Sequence, residues 1–301
     1  MRVIYLPSEV SLTRPLVLTI GVFDGIHRGH LAILSHVLES SQREGMVSCI
    51  FTFPYHPSHV LSPTSPVPLL TPLPEKLRIF RQMQIDIVFL VDFKRIYFLS
   101  PEEFLNTYLS RLPLFKVVVG ENFRFGKDRK GDVELLKKFG EMRSFRVEAF
   151  PSFKIDNQVV SSTLIRRLIR EGKVEEVEKF LGRYYSVSGK VKKGRGAGRR
   201  WGIPTANILL KSYLLPPPGV YAGWTTFSHC RYPSCFDLRK LRKHYLMEVY
   251  LIGFEGNLYL RKLRVSFVRF LRERKIFKED EGRIRQIRED IAIAENILSS
   301  T

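Results

Sequence analysis

The stretch LVLTIGVFDGIHRGH, residues 16–30, decides the fold of the first half of the chain. Its start, Leu16 to Ile20, is a short apolar run rich in β-branched residues, which predicts a buried strand. The glycines that follow let a ligand approach the backbone. A helix is predicted to begin close to Gly29, so that its N-terminal amides face whatever binds at the strand end. A strand, a glycine turn and a helix start in this order predict a phosphate-binding site.

Two histidines strengthen this prediction. His27 and His30 are three residues apart at the predicted helix start, so they lie on one face and can donate hydrogen bonds to phosphate oxygens together. A plain tight turn is the alternative, but the pair of histidines among three glycines favours a nucleotide site. The candidate residues here are Gly21, Phe23, Asp24, Gly25, His27 and His30.

The rest of the first 183 residues alternates between strand and helix patterns. Strands are predicted over 47–53, 85–91 and 116–119, and helices over 31–44, 102–110, 161–171 and 174–181. Such alternation predicts a Rossmann-like α/β domain with a parallel sheet covered by helices. The proline-rich segment 60–74 is predicted to cross over the sheet as a loop.

The pattern changes after Tyr184. Strands are predicted over 185–191, 220–224, 245–252, 258–260 and 263–267, with glycine turns between them. Their natural packing is a small antiparallel barrel. The segment 281–298 repeats apolar residues at helical spacing and predicts an amphipathic helix against that barrel. The predicted domains are therefore 1–183 and 184–301.

Composition excludes several classes of protein. No apolar run approaches the ~18 to 20 residues of a membrane helix, and three cysteines cannot build a disulfide framework. We therefore expect reduced thiols and a cytoplasmic location, with no membrane partner. The chain has 49 basic and 30 acidic residues, a formal net charge of +19, and after Arg183 the balance is 23 basic to 10 acidic. This excess of positive charge indicates either polyanionic partners or an organism that lives at high temperature.

The second domain carries its own motif, GRGAGRRWGIPTAN, over residues 194–207. Glycines such as Gly194 permit a flexible flap over phosphates, and the oxygens of Thr205 and Asn207 can hold Mg²⁺. By itself, a basic glycine-rich loop is compatible with RNA binding and, almost equally, with disorder.

The first domain resembles the nucleotidyltransferase superfamily, and the stretch 21–30 resembles its version in bacterial bifunctional FAD synthetases. Two further segments support the resemblance: VGENFRFGK at 119–127 resembles the family's segment after the fourth strand, and SSTLIR at 161–166 resembles its final phosphate-binding helix start. The first is not a Walker loop, because its spacing is one residue too long and Asp128 replaces the required Ser or Thr. The resemblance adds four ATP- and phosphate-binding residues, Asn122, Ser161, Ser162 and Arg166.

The second domain resembles riboflavin kinase through the Pro-Thr-Ala-Asn core of its motif and further segments in family order. The resemblance implies that Thr205 and Asn207 hold ATP and Mg²⁺, and that Glu248 is the base for the riboflavin 5′-hydroxyl. It also places Arg272 and Glu273 at the flavin. The segment 232–243 and Leu260 depart from the family pattern.

The resemblance implies two successive reactions: phosphorylation of riboflavin to FMN, then adenylylation of FMN to FAD with release of pyrophosphate. The substrates and products are ATP, riboflavin, FMN and FAD, and the cofactor is Mg²⁺. Two alternatives stay open. One is an FMN adenylyltransferase with a silent kinase domain, and the other is a basic RNA-binding protein that reuses the fold, against which the lack of an RNA-recognition module argues.

Overall fold

The chain divides by its contacts into two units, Met1–Ser162 and Thr163–Thr301, each with its own core. The structure, a computed structural model, describes residues 1–7, 12–194, 197–210, 213–242, 244–277 and 279–300. Arg195, Gly196 and Lys243, which belong to the basic stretches singled out above, lie outside these ranges. Within them, every helix is too short or too polar to cross a membrane.

The first unit is built on a parallel sheet of six strands in the order β1-β4-β3-β2-β5-β6. Its elements in chain order are β1 (Arg2–Leu6), β2 (Leu16–Ile20), α1 (Arg28–Arg43), β3 (Val47–Thr52), α2 (Ser58–Leu61), α3 (Leu73–Gln82), β4 (Ile87–Val91), α4 (Pro101–Phe104), β5 (Leu114–Gly120), α5 (Val133–Met142), β6 (Arg146–Phe150), β7 (Lys154–Ile155) and β8 (Gln158–Val159).

The sheet positions a ligand crevice by its topology. Strands β2 and β4 are buried along their whole length, as expected for central strands covered by helices on both faces. From β2 the chain proceeds to β3 and β4 on one side, and it returns to β5 on the other side. The strand order reverses between β2 and β5, and α/β proteins bind ligands outside the carboxyl ends of the strands at such a switch point.

The second unit is a closed antiparallel barrel in the order β10-β13-β12-β11-β14-β9. Helix α6 (Ser162–Arg170) begins on the last residue of the first unit and continues into the second. The other elements of the second unit are α7 (Val174–Leu181), β9 (Ser186–Lys192), α8 (Ala197–Arg200), β10 (Ala206–Leu210), β11 (Gly219–Phe227), β12 (Cys230–Lys240), β13 (Tyr245–Leu251), β14 (Lys262–Arg272) and α9 (Asp280–Ser299). Large aromatic side chains, among them Tyr221, Phe236 and Phe267, fill the barrel interior. Helix α9 packs against β11, β12 and β14, where Ala294 and Leu298 are buried.

The predicted fold class is confirmed: a parallel α/β sheet, then a small antiparallel barrel with a C-terminal helix. The strand predicted over 258–260 is wrong, because these residues form a turn in which Leu260 has a φ of +64°. The segment 60–74 is only partly a loop, since it contains the end of α2 and the first residues of α3. Contacts group α6 and α7 with the barrel, whereas the boundary predicted after Arg183 stays a prediction.

Candidate active sites

The turn after β2 has a strained backbone. Phe23, Gly25 and Ile26 all have positive φ values, of 49°, 89° and 41°. Such a conformation costs about 1 to 3 kcal/mol for a bulky residue. Packing compensates for this cost, because Phe23 and Ile26 are buried and the Phe23 ring meets Phe80 edge-on at 6.0 Å. Packing therefore holds the turn in this shape.

His27 closes this turn as the N-cap of α1. Its Nδ1 accepts a hydrogen bond from the backbone N–H of His30 at 3.2 Å, and the two rings stack with centroids 3.6 Å apart. A neutral ring that accepts at Nδ1 carries its proton on Nε2. The cap thus makes His27 Nε2 a hydrogen-bond donor, which is the role predicted for it toward phosphate.

Asp24 ties other segments to the turn. Its carboxylate accepts hydrogen bonds from the backbone N–H groups of Leu70 and Thr71, and its backbone oxygen accepts one from Ser162 Oγ at 2.7 Å. The side chain of Asp24 is therefore an anchor of the turn, and its predicted phosphate-binding role stays a prediction. The side chain of Ser162 thus contacts the turn, half-buried Ser161 precedes it, and buried Arg166 follows one helical turn later in α6, while their predicted contacts with phosphate stay predictions.

The end of β5 supplies Asn122. Strands β5 and β2 are neighbours in register, with Val118 opposite Thr19, so the residues after Gly120 and after Ile20 leave the same edge of the sheet. Asn122 is exposed, and its Nδ2 donates to Ser152 Oγ at 3.4 Å. This topology supports its predicted place beside the turn.

Lys76 is a buried residue beside the turn that no local sequence pattern indicated. This side chain lies in α3, is only 4% exposed and donates from Nζ to the backbone oxygen of Val22 at 2.7 Å. Its helix starts at Pro72-Leu73-Pro74, and the prolines concealed it. The signal that remained was the helical spacing of the apolar residues Leu73, Leu77 and Phe80. The prolines do not exclude this helix, because Pro is well tolerated in the first turn.

The barrel brings a second set of polar residues together. Asn207 on β10 lies directly opposite Glu248 on β13, and Glu248 lies opposite Asp237 on β12. All three are half-buried between fully buried neighbours, so they form a row on the outer face of the barrel. Sequence analysis predicted Asn207 and Glu248 but not Asp237, because β12 was not predicted.

A cavity of about 320 Å³ opens at this row, within the size range of small-molecule sites. Exposed Thr205 also lines it, and its predicted role in holding ATP and Mg²⁺ stays a prediction. Glu273 is not among the lining residues, although it was predicted to bind flavin. One part of the lining is charged and the other apolar, the latter including Val220, Phe236, Tyr250, Phe277, Ile287 and Ile291.

Ion pairs organise the charged part. The carboxylate of Glu248 pairs with the Arg239 guanidinium, and Arg274 Nε contacts Asp237 Oδ1 at 2.8 Å. Arg272 binds Asp290 of α9 through two hydrogen bonds of 2.8 and 2.6 Å, and these bonds raise the pKa of Arg272. Arg272 therefore joins β14 to α9 at the cavity wall, in addition to its predicted flavin contact.

The glycine motif packs closely on the metal-binding candidates. A Cβ added at Gly194 would lie 2.5 Å from Asn207 Nδ2, and one at Gly198 would lie 2.3 Å from the backbone oxygen of Ile203. Side-chain oxygens of Thr205 and Asn207 are hard, neutral ligands that fit Mg²⁺ when phosphates supply the negative charge. Within the described ranges, no group of three His, Cys, Asp or Glu residues can hold a metal ion. The side-chain oxygens of Thr205 and Asn207 fit a magnesium–nucleotide complex.

Comparisons with known proteins match both units. The family model for FAD synthetase matches residues 10–164, and the family model for riboflavin kinase matches residues 181–298.

The bifunctional riboflavin kinase/FMN adenylyltransferase of Listeria monocytogenes is 33% identical over 305 residues, 96% of either chain. The protein of the same name from Buchnera aphidicola subsp. Schizaphis graminum is 32% identical over 294 residues, 93% of either chain. A crystal structure of a macrolide-efflux protein from Streptococcus pneumoniae superposes with a TM-score of 0.88 at 25% identity, covering 98% of this chain and 99% of the other. This chain belongs to the family of bifunctional riboflavin kinase/FMN adenylyltransferases.

Proposed function

We propose that this chain phosphorylates riboflavin with ATP to give FMN and then transfers AMP from a second ATP to FMN, which gives FAD and pyrophosphate. The observation that carries the proposal is the presence of two separate polar sites. One is the capped turn at the switch point of the sheet, and the other is the Asn207–Glu248–Asp237 row at the barrel cavity. Each lies in the part of the chain that its family model matches.

In the kinase site, Glu248 accepts the proton of the riboflavin 5′-hydroxyl. The hydroxyl oxygen then forms the new bond to the γ-phosphorus, and the bond from that phosphorus to ADP breaks. Thr205 and Asn207 hold Mg²⁺, which neutralises charge on the ATP phosphates when bound. The apolar wall of the cavity suits a flavin ring, at which Arg272 is proposed to bind, while Arg274 suits phosphate.

The adenylyltransferase site needs alignment and charge stabilisation rather than a covalent intermediate. The FMN phosphate is already anionic and attacks the α-phosphorus of ATP, so pyrophosphate leaves. His27 Nε2 and His30 stabilise the phosphates from the turn, with Ser161, Ser162 and Arg166 at the start of α6 and Asn122 after β5. Gly21, Phe23, Asp24 and Gly25 contribute the shape of the turn.

A cytoplasmic location is part of this proposal. Cys49, Cys230 and Cys235 are free thiols, and a reducing compartment would keep them in this form. Cys49 and Cys235 are buried, and burial raises the pKa of Cys235 to about 12, so it is a poor nucleophile.

The test is to incubate the purified chain with riboflavin, ATP and Mg²⁺ and to separate riboflavin, FMN and FAD. A second incubation starts from FMN, so each step is measured by itself. We expect FMN and FAD in the first incubation and FAD in the second. Absence of FAD in both would refute the assignment of the first unit.

One observation favours the second candidate, an adenylyltransferase with a silent kinase domain. Arg239, which pairs with Glu248, belongs to the segment 232–243 that departs from the family pattern. Arg239 Nη2 pairs with Oε2 of Glu248, so this guanidinium competes with the substrate hydroxyl for the carboxylate. FAD formation from FMN, without FMN formation from riboflavin, would select this candidate.

A further inference from the structure

Lys76 is a buried cation that the mechanism above does not use. Its Nζ donates to the backbone oxygen of Val22 at 2.7 Å and to that of Phe53 at 3.4 Å. Burial lowers the pKa of Lys76 to about 8, while the carboxylate of Asp24 acts in the opposite direction. Burying an ammonium group costs far more than burying an apolar one, so a lysine at this position calls for an explanation.

The two oxygens belong to the ends of neighbouring strands. Val22 lies inside the strained turn after β2, and Phe53 directly follows β3. Thr52 Oγ1 also donates to the Val22 oxygen, at 3.2 Å. Lys76 therefore links the carboxyl ends of both strands to α3.

Asp24 completes a two-point attachment. Its carboxylate binds the backbone amides of Leu70 and Thr71, which lead into α3, while Lys76 returns from α3 to Val22. The turn is thus held to this helix on both sides of Phe23, the residue with a φ of 49°. A shift of α3 would be passed directly to the turn.

We propose that Lys76 is a positioning residue of the adenylyl-transfer site, which fixes the turn 21–27 and places a positive charge against the backbone that holds the phosphates. The inference rests on the proposed function of that turn. A positive charge in a site of low dielectric favours the anionic phosphates of ATP and FMN without touching them. A neutral side chain could satisfy the same two carbonyl oxygens in part, but it would lack this charge.

The test compares three variants of the full chain: Lys76→Met, Lys76→Arg and Lys116→Met. Lys116 is the matched control because it is also a buried lysine of the first unit, but it lies near the start of β5 and pairs with Glu148. FAD formation from FMN is measured over a range of FMN and ATP concentrations, which gives kcat and KM separately, and riboflavin phosphorylation in the same preparation reports the second unit. Circular dichroism confirms folding. We expect Lys76→Met to lower kcat by about 10- to 100-fold with a smaller change in KM, whereas Lys116→Met stays within about twofold of wild type.

The pH profile separates the charge from a merely structural contact. FAD formation by the wild type is expected to decline as the pH rises through about 8, where Lys76 loses its proton. Lys76→Met should lack this decline, and Lys76→Arg should shift it to higher pH. The other titratable groups of the region are Asp24, His27 and His30 of the turn and the Glu75–Arg78 pair of α3, and a decline that persists in Lys76→Met belongs to them.

Two results would overturn the inference: unchanged kcat in folded Lys76→Met, or an equal decline with pH in wild type and Lys76→Arg. The second comparison decides the matter even if Lys76→Met does not fold. A wild-type chain that makes no FAD at any pH refutes the proposed function itself, which is a different result.

Discussion

Replacing His27 tests the adenylyl-transfer site most directly, because this side chain has two separable tasks. It caps α1 through Nδ1, and we propose that it donates to phosphate through Nε2. His27→Ala removes both tasks. His27→Asn removes the imidazole but keeps a strong N-cap residue, so it is the matched control for the helix. His30→Ala removes the second ring and leaves the cap in place, since only the backbone N–H of His30 takes part in it.

The expected magnitudes differ for the two tasks. Loss of a cap costs about 1 kcal/mol, which lowers the melting temperature of a domain of this size by about 2 to 4 °C. Loss of one donor to a developing charge costs about 10² to 10³ in rate. The stacked rings act on the same phosphates, so their effects do not add fully, and the double alanine variant should lose about 10² to 10⁴.

The assay follows FAD formation from FMN, with riboflavin phosphorylation in the same tube as the control for the second unit. His27→Asn should melt close to wild type and yet lose the rate, whereas His27→Ala should lose both. Folded His27→Asn and His30→Ala variants that form FAD at the wild-type rate would refute the argument.

Three further predictions concern the second unit. Glu248→Gln should lower the rate of FMN formation by about 10² to 10⁴, and equal rates in wild type and Glu248→Gln would mean a silent kinase. Arg239→Gln should raise the rate of FMN formation about fivefold, because a partly exposed ion pair contributes about 1 kcal/mol. Asp290→Asn should lower the free energy of unfolding of the barrel unit by about 2 to 4 kcal/mol, because buried Asp290 and its half-buried partner Arg272 lose a charge-assisted pair, and denaturant titration that detects less than about 0.5 kcal/mol would contradict this. Fragments 163–301 and 184–301 should both quench riboflavin fluorescence. The longer fragment should have the higher melting temperature because it keeps the packing of α7 on β14, and equal melting temperatures would show that α6 and α7 add nothing to the stability of the barrel.

Sequence was sufficient where one local pattern decides the structure. Leu16 to Ile20 and Val174 to Leu181 were predicted at their observed bounds, because a short apolar run and a helix closed by left-handed Gly182 leave few alternatives. Sequence failed where a contact distant in the chain decides. Strand β12 contains Pro233, and a proline argues against a strand because it lacks a backbone N–H. The proline is tolerated here because the pairing of β12 with β13 starts only at the next residue, Ser234.

The same limit applies to the sites. His27 and His30 could be predicted because both stand in one decapeptide with its glycines. Lys76 could not, because its role depends on Val22 and Phe53, which are 54 and 23 residues away. The pairing of Arg239 with Glu248 likewise needs the register of β12 against β13, which no local pattern specifies.

The row of Asn207, Glu248 and Asp237 also restricts how this chain can change its length. Successive side chains of a strand point to opposite faces, so inserting or deleting a single residue within β10, β12 or β13 would turn one member of the row into the barrel interior. Loops such as 252–261, in contrast, can gain or lose residues without moving the row. Among functional relatives of this protein, we therefore expect gaps in sequence alignments to fall between these strands and not within them.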